Sequence, residues 1–198
     1  MTTFPSPLPH LHAGDVVLRP WSGDDAAALF ELWRGADIPS EAGVVGFTDR
    51  TEASQRIEIW TRLVEAGENL RYAITDARTG ALLGAVALTS VRWDDSTAEA
   101  SYWLGGGDAR GRGAATLALD ALTRFCFDEL GLARVELLIE PSNEPSHAVA
   151  LRAGFVREGV LRSCVELDGV RVDMVMWSRL PTDPVPELSA AARAEATA

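Results

Sequence analysis

Between residues 16 and 180 the apolar positions change period repeatedly, and each change marks an element. Alternation over 16–19 reads as a short strand. Asp24 and Asp25 then cap a helix whose apolar side is Ala27, Leu29, Phe30, Leu32 and Trp33, and Gly35 ends it. Residues 37–47, with Pro39, Gly43 and Gly46, read as a loop, and Thr51 opens a second helix that runs to about Ala66. Leu70, Tyr72 and Ile74 alternate as a strand. Residues 76–80 are turn chemistry, and 81–89 return as an antiparallel partner apolar enough to be central.

The strand expected over 98–104 puts Glu99, Ser101 and Trp103 on one face and Ala100, Tyr102 and Leu104 on the other. A glycine-rich loop follows. Leu117, Ala121, Leu122, Phe125 and Cys126 then fall at helical spacing between Gly113 and about Leu130. Val135, Leu137 and Ile139 mark another strand, 141–144 a turn and 146–152 a short helix. Residues 155–167 and 170–180 form a hairpin about Asp168-Gly169. Helices and strands alternate while hairpins end both halves. The expected class is therefore α/β (α+β), with a mixed, mostly antiparallel sheet of about seven strands flanked by helices. An extended proline-containing arm over 1–15 precedes this domain of 16–180, and a tail over 181–198, broken by Pro181, Pro184 and Pro186, follows it.

Composition narrows the function classes. The formal charge of −11, from 29 acidic and 18 basic residues, argues against a nucleic-acid binder, which needs a basic face. It favours cationic partners, amines and basic peptides, over anionic polymers, though acidity also serves solubility alone. The longest stretch free of polar side chains, 80–88, is too short for a membrane-spanning helix, which needs about 20 apolar residues. No secretory signal is read in the first fourteen residues, so a cytoplasmic protein is the expectation. Cys126 and Cys164 offer neither a disulfide framework nor a four-thiolate zinc site, and His10, His12 and His147 have no metal-ligand spacing. No metal is expected.

The chemistry concentrates where the 98–104 strand runs through Gly105-Gly106-Gly107-Asp108-Ala109-Arg110-Gly111-Arg112-Gly113 into a helix. The first amides of a helix lack intrahelical acceptors, the macrodipole favours negative charge there, and glycine admits a phosphate close to the backbone. Arg110 and Arg112 add charge, while Ala114 and Ala115 keep the first turn narrow enough for a diphosphate. There is no Gly-x-x-x-x-Gly-Lys-Ser/Thr phosphate loop, and a dinucleotide fingerprint does not fit.

Arg110-x-x-Gly113-x-Ala115 resembles the acyl-CoA pyrophosphate loop of the GNAT superfamily of N-acyltransferases. Leu18-Arg19-Pro20, Tyr102-Trp103-Leu104, Asn143-x-x-Ser146, Leu151-Arg152-Ala153-Gly154-Phe155-x-x-Glu158-Gly159 and Asp168-Gly169 followed by Asp173 and Trp177 are similar to its RimJ/RimL-type branch. The resemblance covers about residues 16–180. It implies a GNAT fold in which the fourth and fifth predicted strands, 98–104 and 134–140, run parallel and splay apart to admit pantetheine. Acetyl-CoA is the implied co-substrate. Backbone groups of Trp103 and Leu104 would pair with pantetheine, amides from Arg110 through Gly111, Arg112, Gly113 and Ala114 to Ala115 would hold the diphosphate, and Asn143 would bond pantetheine from across the gap.

Acyl transfer to an amine needs a neutral nucleophile, a polarised carbonyl and a proton for the departing thiolate. The resemblance puts Ser146 near the thioester sulfur as that acid; helix capping or a place on the cofactor wall is the alternative. Where some members carry a catalytic carboxylate this chain has Val165, with Glu166 facing the other way. Glu99 is then the first candidate base, with partnership to an arginine as its alternative, and Tyr102 is the second, with core packing as its alternative. The implied activity is acetylation of a primary amine by direct attack in a ternary complex. A protein or peptide N-terminal amine comes first; a small cationic metabolite or antibiotic amine, or a CoA-binding module without turnover, are the alternatives. The acceptor site is expected between the 37–50 loop, the second helix and the final hairpin, where Asp37, Glu41, Asp49 and Glu166 attract an ammonium. An edge strand in that hairpin leaves a homodimer open.

Overall fold

The computed structural model describes residues 4–34, 46–167 and 169–184. Eight strands form one sheet: β1 (Leu11–Ala13), β2 (Val16–Pro20), β3 (Leu70–Asp76), β4 (Leu82–Arg92), β5 (Thr97–Leu104), β6 (Arg134–Ile139), β7 (Val156–Leu167) and β8 (Val170–Arg179). Their order is β1-β2-β3-β4-β5-β6-β8-β7. Every pairing is antiparallel except β5 with β6. The expected mixed, mostly antiparallel sheet is present with one strand more than the pattern gave. The extra strand is β1, three residues of the arm expected over 1–15, too short to show a period.

Among the described residues four α-helices cover the two faces: α1 (Ala26–Arg34), α2 (Arg50–Glu65), α3 (Ala114–Asp128) and α4 (Glu144–Arg152). Alternation along the strands feeds two apolar clusters. Leu70, Tyr72 and Ile74 of β3, Ala98 and Ala100 of β5 and Val135, Leu137 and Ile139 of β6 pack with the α3 side chains Ala118, Leu122 and Phe125. On the other face Leu29 of α1 and Ala53, Ile57 and Trp60 of α2 pack with Ala85 and Trp103. A buried ion pair ties α3 to β8: Arg179 Nη1 donates to Asp120 Oδ1 at 2.7 Å, and Arg124 Nε donates to Asp120 Oδ2 at 3.0 Å. Removing one partner of such a pair strands a charge away from water.

Helix starts follow capping chemistry. The cap expected at Asp24 and Asp25 belongs to Ser22: its hydroxyl accepts from the Asp24 amide, Asp25 reaches back to the Ser22 amide, and a single 3-10 turn precedes α1. Asp49 Oδ1 caps α2, accepting from the amides of Thr51 at 2.7 Å and Glu52 at 2.9 Å. Asn143 caps α4, which therefore begins two residues before the 146–152 span expected from periodicity. Asp37 and Glu41 of the expected acceptor loop, Asp168 of the hairpin turn and the tail beyond Pro184 lie outside the described residues.

One feature of the sheet prepares the site. The parallel pairing of β5 with β6 is limited to Thr97, Ala98 and Glu99 against Arg134, Val135 and Glu136. Beyond these residues β5 stays paired with β4 as far as Leu104, and β6 pairs with β8. Gly84 lets the end of β5 come in against β4, since a Cβ there would lie 2.1 Å from the Trp103 carbonyl oxygen. The two strands thus part, leaving main-chain donors and acceptors of both facing a gap.

Candidate active site

The gap between β5 and β6 is a cleft of about 700 Å³. It runs through the sheet. At one mouth stand Arg110, Gly111, Gly113 and the first residues of α3; at the other, Glu99, Ser101, Leu138, Val165 and Met174; Tyr102, Asn143 and Ser146 line it between them. A cleft with two mouths lets a donor and an acceptor approach one another from opposite faces.

The donor mouth is built by glycine. Gly113, the N-cap of α3, has φ +78°, a left-handed conformation that disfavours other side chains, and it supplies no side-chain acceptor to the helix. A Cβ built there meets nothing within 4 Å, and Ala114, Ala115 and Thr116 of the first turn line the cleft. A helix start of this kind favours an anion. Arg110 lines it, with Nε donating to the Gly105 carbonyl at 3.0 Å and so bracing the loop. Arg112, also expected there, turns instead to β3, where its Nη1 lies 3.5 Å from Asp76 Oδ2. Ala114 and Ala115 line the cleft as expected, as do Trp103 and Leu104. The Trp103 ring is buried edge-on against Trp33, with ring centres 5.6 Å apart. Its contribution to the cleft is therefore main-chain.

At the centre Asn143 Oδ1 accepts from the Ser146 amide at 3.2 Å, which leaves the Asn143 NH2 to donate into the cleft. Because Asn143 supplies the cap, the Ser146 hydroxyl is not needed for it. Tyr102 donates its phenol proton to the Ser146 carbonyl at 3.3 Å, tying β5 to α4 across the gap. Burial pushes the Tyr102 phenol up to about 12, and the bond to Ser146 offsets this only partly. At neutral pH the phenol holds its proton.

Glu99 sits where β5 and β6 are last paired, directly beside Glu136. Burial and then the Glu136 charge raise its carboxyl above the ordinary range, opposed by Thr89 and Arg92. Glu136 is the reverse case. Despite burial, hydrogen bonds from Arg134 and Arg92 hold its pKa low. Arg134 also grips both oxygens of Glu158 on β7, at 2.7 and 2.6 Å. The arginines thus serve Glu136 and Glu158, and Glu99 faces the cleft. Val165 lines the cleft and Glu166 is exposed, as alternation requires.

Several wall residues were not assigned to the cleft from sequence. Arg152, near the donor mouth, and Met174, near the other, are spaced correctly for their elements but carry no local signal of a cavity. Glu136 is invisible as the neighbour of Glu99 because the register of strands joined through a helix is not written in either strand.

Residues 15–156 match the acetyltransferase (GNAT) domain family, and the chain belongs to it. It is an acetyltransferase of the GNAT type. The N-acetyltransferase p20 of Bacillus licheniformis, itself uncharacterized, is 28% identical over 170 residues, spanning 86% of this chain and 95% of that protein. A ribosomal-protein-serine acetyltransferase of Escherichia coli is 30% identical over 99 residues, 50% of this chain and 55% of that protein. Among solved structures, Mycobacterium smegmatis RimJ in complex with CoA-disulfide superposes with a TM-score of 0.77 at 24% identity, covering 96% of this chain and 93% of the other. That likeness speaks to the fold. Among the described residues no helix is long and apolar enough to cross a membrane, and no three His, Cys, Asp or Glu side chains are grouped to hold a metal ion.

Proposed function

We propose that the protein acetylates the N-terminal amine of a protein or peptide by direct attack within a ternary complex. The observation that carries this reading is the two-mouthed cleft, with an uncapped helix N-terminus at one end and a carboxylate of raised pKa at the other. The co-substrate supplies an activated acetyl thioester. The α3 amides, braced by Arg110, hold its diphosphate, while the β5 main chain at Trp103 and Leu104 and the Asn143 amide align its pantetheine arm.

Glu99 takes a proton from the incoming ammonium, directly or through one water, so that the nitrogen presents a lone pair. The new C–N bond forms as the C–S bond breaks, the Ser146 hydroxyl gives the departing sulfur its proton, and the nitrogen releases its second proton to solvent as the neutral amide forms. Solvent then restores the hydroxyl. Tyr102 is a positioning residue here: its bond to the Ser146 carbonyl fixes the start of α4 against β5.

The resemblance to the RimJ/RimL branch supports an N-terminal acceptor, and the 30% identity to a ribosomal-protein-serine acetyltransferase supports a protein as that acceptor. Thiol release from acetyl-CoA, measured with free-amine peptides, their N-acetylated counterparts and a panel of polyamines and aminoglycoside-like amines, tests it. Release confined to the free-amine peptides is the expected result. Release confined to the small amines replaces the acceptor, and release with neither panel leaves only CoA binding.

A further inference from the structure

The acceptor mouth has a wall that takes no part in the proton transfers. Register fixes which side chains share the face of Glu99. Glu99 stands beside Glu136 on β6, and Leu138 is the next residue of β6 on that face. Leu138 pairs with Met176 on β8, and Met174, the neighbour of Met176 on the same face, pairs with Leu161 on β7. One step further along β8, Val172 pairs with Val165, which Leu167 follows on that face of β7. Leu138, Val165, Leu167 and Met174 line the cleft. Met176 is half-buried and Leu161 is 39% exposed, so the apolar surface continues outward from the mouth.

The charged groups that border this surface are engaged with other partners. Glu136 accepts from Arg92 and Arg134, Glu158 from Arg134 and the Ser178 hydroxyl, and Glu140, just past the end of β6, from the Ser142 hydroxyl at 2.6 Å. An apolar surface rimmed by satisfied polar groups marks a place where something binds. What binds is set by the carboxylate at its edge. In an N-terminal residue the ammonium and the side chain hang on the same α-carbon, so a nitrogen brought to Glu99 carries its side chain to the neighbouring wall. Leu138 is the first part of that wall across the gap, with β8 and β7 beyond it at strand spacings of about 4.8 Å. Met174 adds an unbranched thioether that adapts to the shape laid against it.

We infer that Leu138, Val165, Leu167 and Met174 form a subsite for the side chain of the acceptor's first residue, so that favoured acceptors begin with an apolar residue such as Leu or Met. The inference rests on the N-terminal acceptor reading and adds to it. The carboxylate takes the ammonium while the wall takes the side chain, and the two together fit an amine that is charged at one atom and apolar beside it. A polar first residue loses its water against this wall and finds no free partner there, which turns it away. The acidity of the chain, with 29 acidic against 18 basic residues, then draws the amine in without choosing among side chains.

The test compares free-amine peptides that differ only at the first residue, in pairs of like shape: Leu against Asn, and Met against Gln. With the wild-type enzyme, kcat/KM is expected to favour the apolar member of each pair by about tenfold or more, the scale of a methylene group in an apolar pocket. Leu138→Gln is expected to bring both ratios closer to one. Val165→Glu, at a half-buried position of β7, is expected to favour Arg over Leu as the first residue. Each ratio is taken within one preparation, so partial unfolding lowers both rates and leaves it unchanged. Equal rates within each pair, a preference for Asn and Gln, or an apolar preference that neither substitution moves overturn the subsite and leave the N-terminal acceptor standing. Failure to acetylate any free-amine peptide overturns both.

Discussion

In the proposed mechanism Ser146 and Glu99 divide the proton chemistry because their surroundings differ. The Ser146 hydroxyl is spared from capping by Asn143, while the Glu99 carboxyl is pressed upward by burial and by a neighbour that two arginines keep charged. For Ser146→Ala we expect kcat to fall by about tenfold or more, at the low end for a general acid because a thiolate leaves readily, with acetyl-CoA affinity little changed. A variant that loses only cofactor affinity would make Ser146 a binding residue. Glu99 must lose its proton to act, so activity rises with pH through its pKa. That limb is expected above the ordinary carboxylate value of about 4.3 and below the titration of the peptide amine near 8. Glu99→Gln should lower kcat/KM and abolish the lower limb while leaving the amine limb; a wild-type profile without a lower limb would remove Glu99 as the base. The resemblance carried by Asn143-x-x-Ser146 pointed to two residues that line the cleft, whereas Glu99 was readable only as a strand position. Its tuning depends on Glu136, and no feature near either residue announces that they meet.

Among the elements, α3 shows what local pattern conveys and where it stops. Apolar spacing and a glycine-rich lead-in were enough to predict a helix with an open N-terminus, and the structure has one, from Ala114 to Asp128. The same pattern could not say where the two arginines of the loop would turn. Arg110 braces the loop at the cleft, but Arg112 goes to Asp76, a partner on a strand far back in the chain. The capping details were missed for a related reason: Ser22 with Asp25, and Asn143 with Ser146, are reciprocal or spaced contacts that strengthen only once the backbone has turned. Gly113→Glu tests the element directly. It places a side chain in a left-handed position and a negative charge before uncapped amides, and should weaken acetyl-CoA binding at least about tenfold, or about 1.4 kcal/mol. Calorimetric titration that found unchanged affinity would move the diphosphate elsewhere.

At the scale of the molecule, function follows from a sheet that opens without coming apart. β5 leans on β4 at Gly84, β6 is held by β8, and the apolar clusters on the two faces keep both halves fixed while the space between them stays free. The order of helices and hairpins made the class of fold readable, and the resemblance supplied the parting of the strands. The eighth strand and the limit of β5–β6 pairing to three residues required the assembled register. Because the cleft has two mouths, acetyl donor and amine can be present together, and no acetylated enzyme need form. Initial rates with acetyl-CoA and a free-amine peptide varied together put this to the test. Intersecting double-reciprocal lines are the predicted result; parallel lines, with acetyl retained on the protein after acetyl-CoA alone, would contradict transfer in a ternary complex.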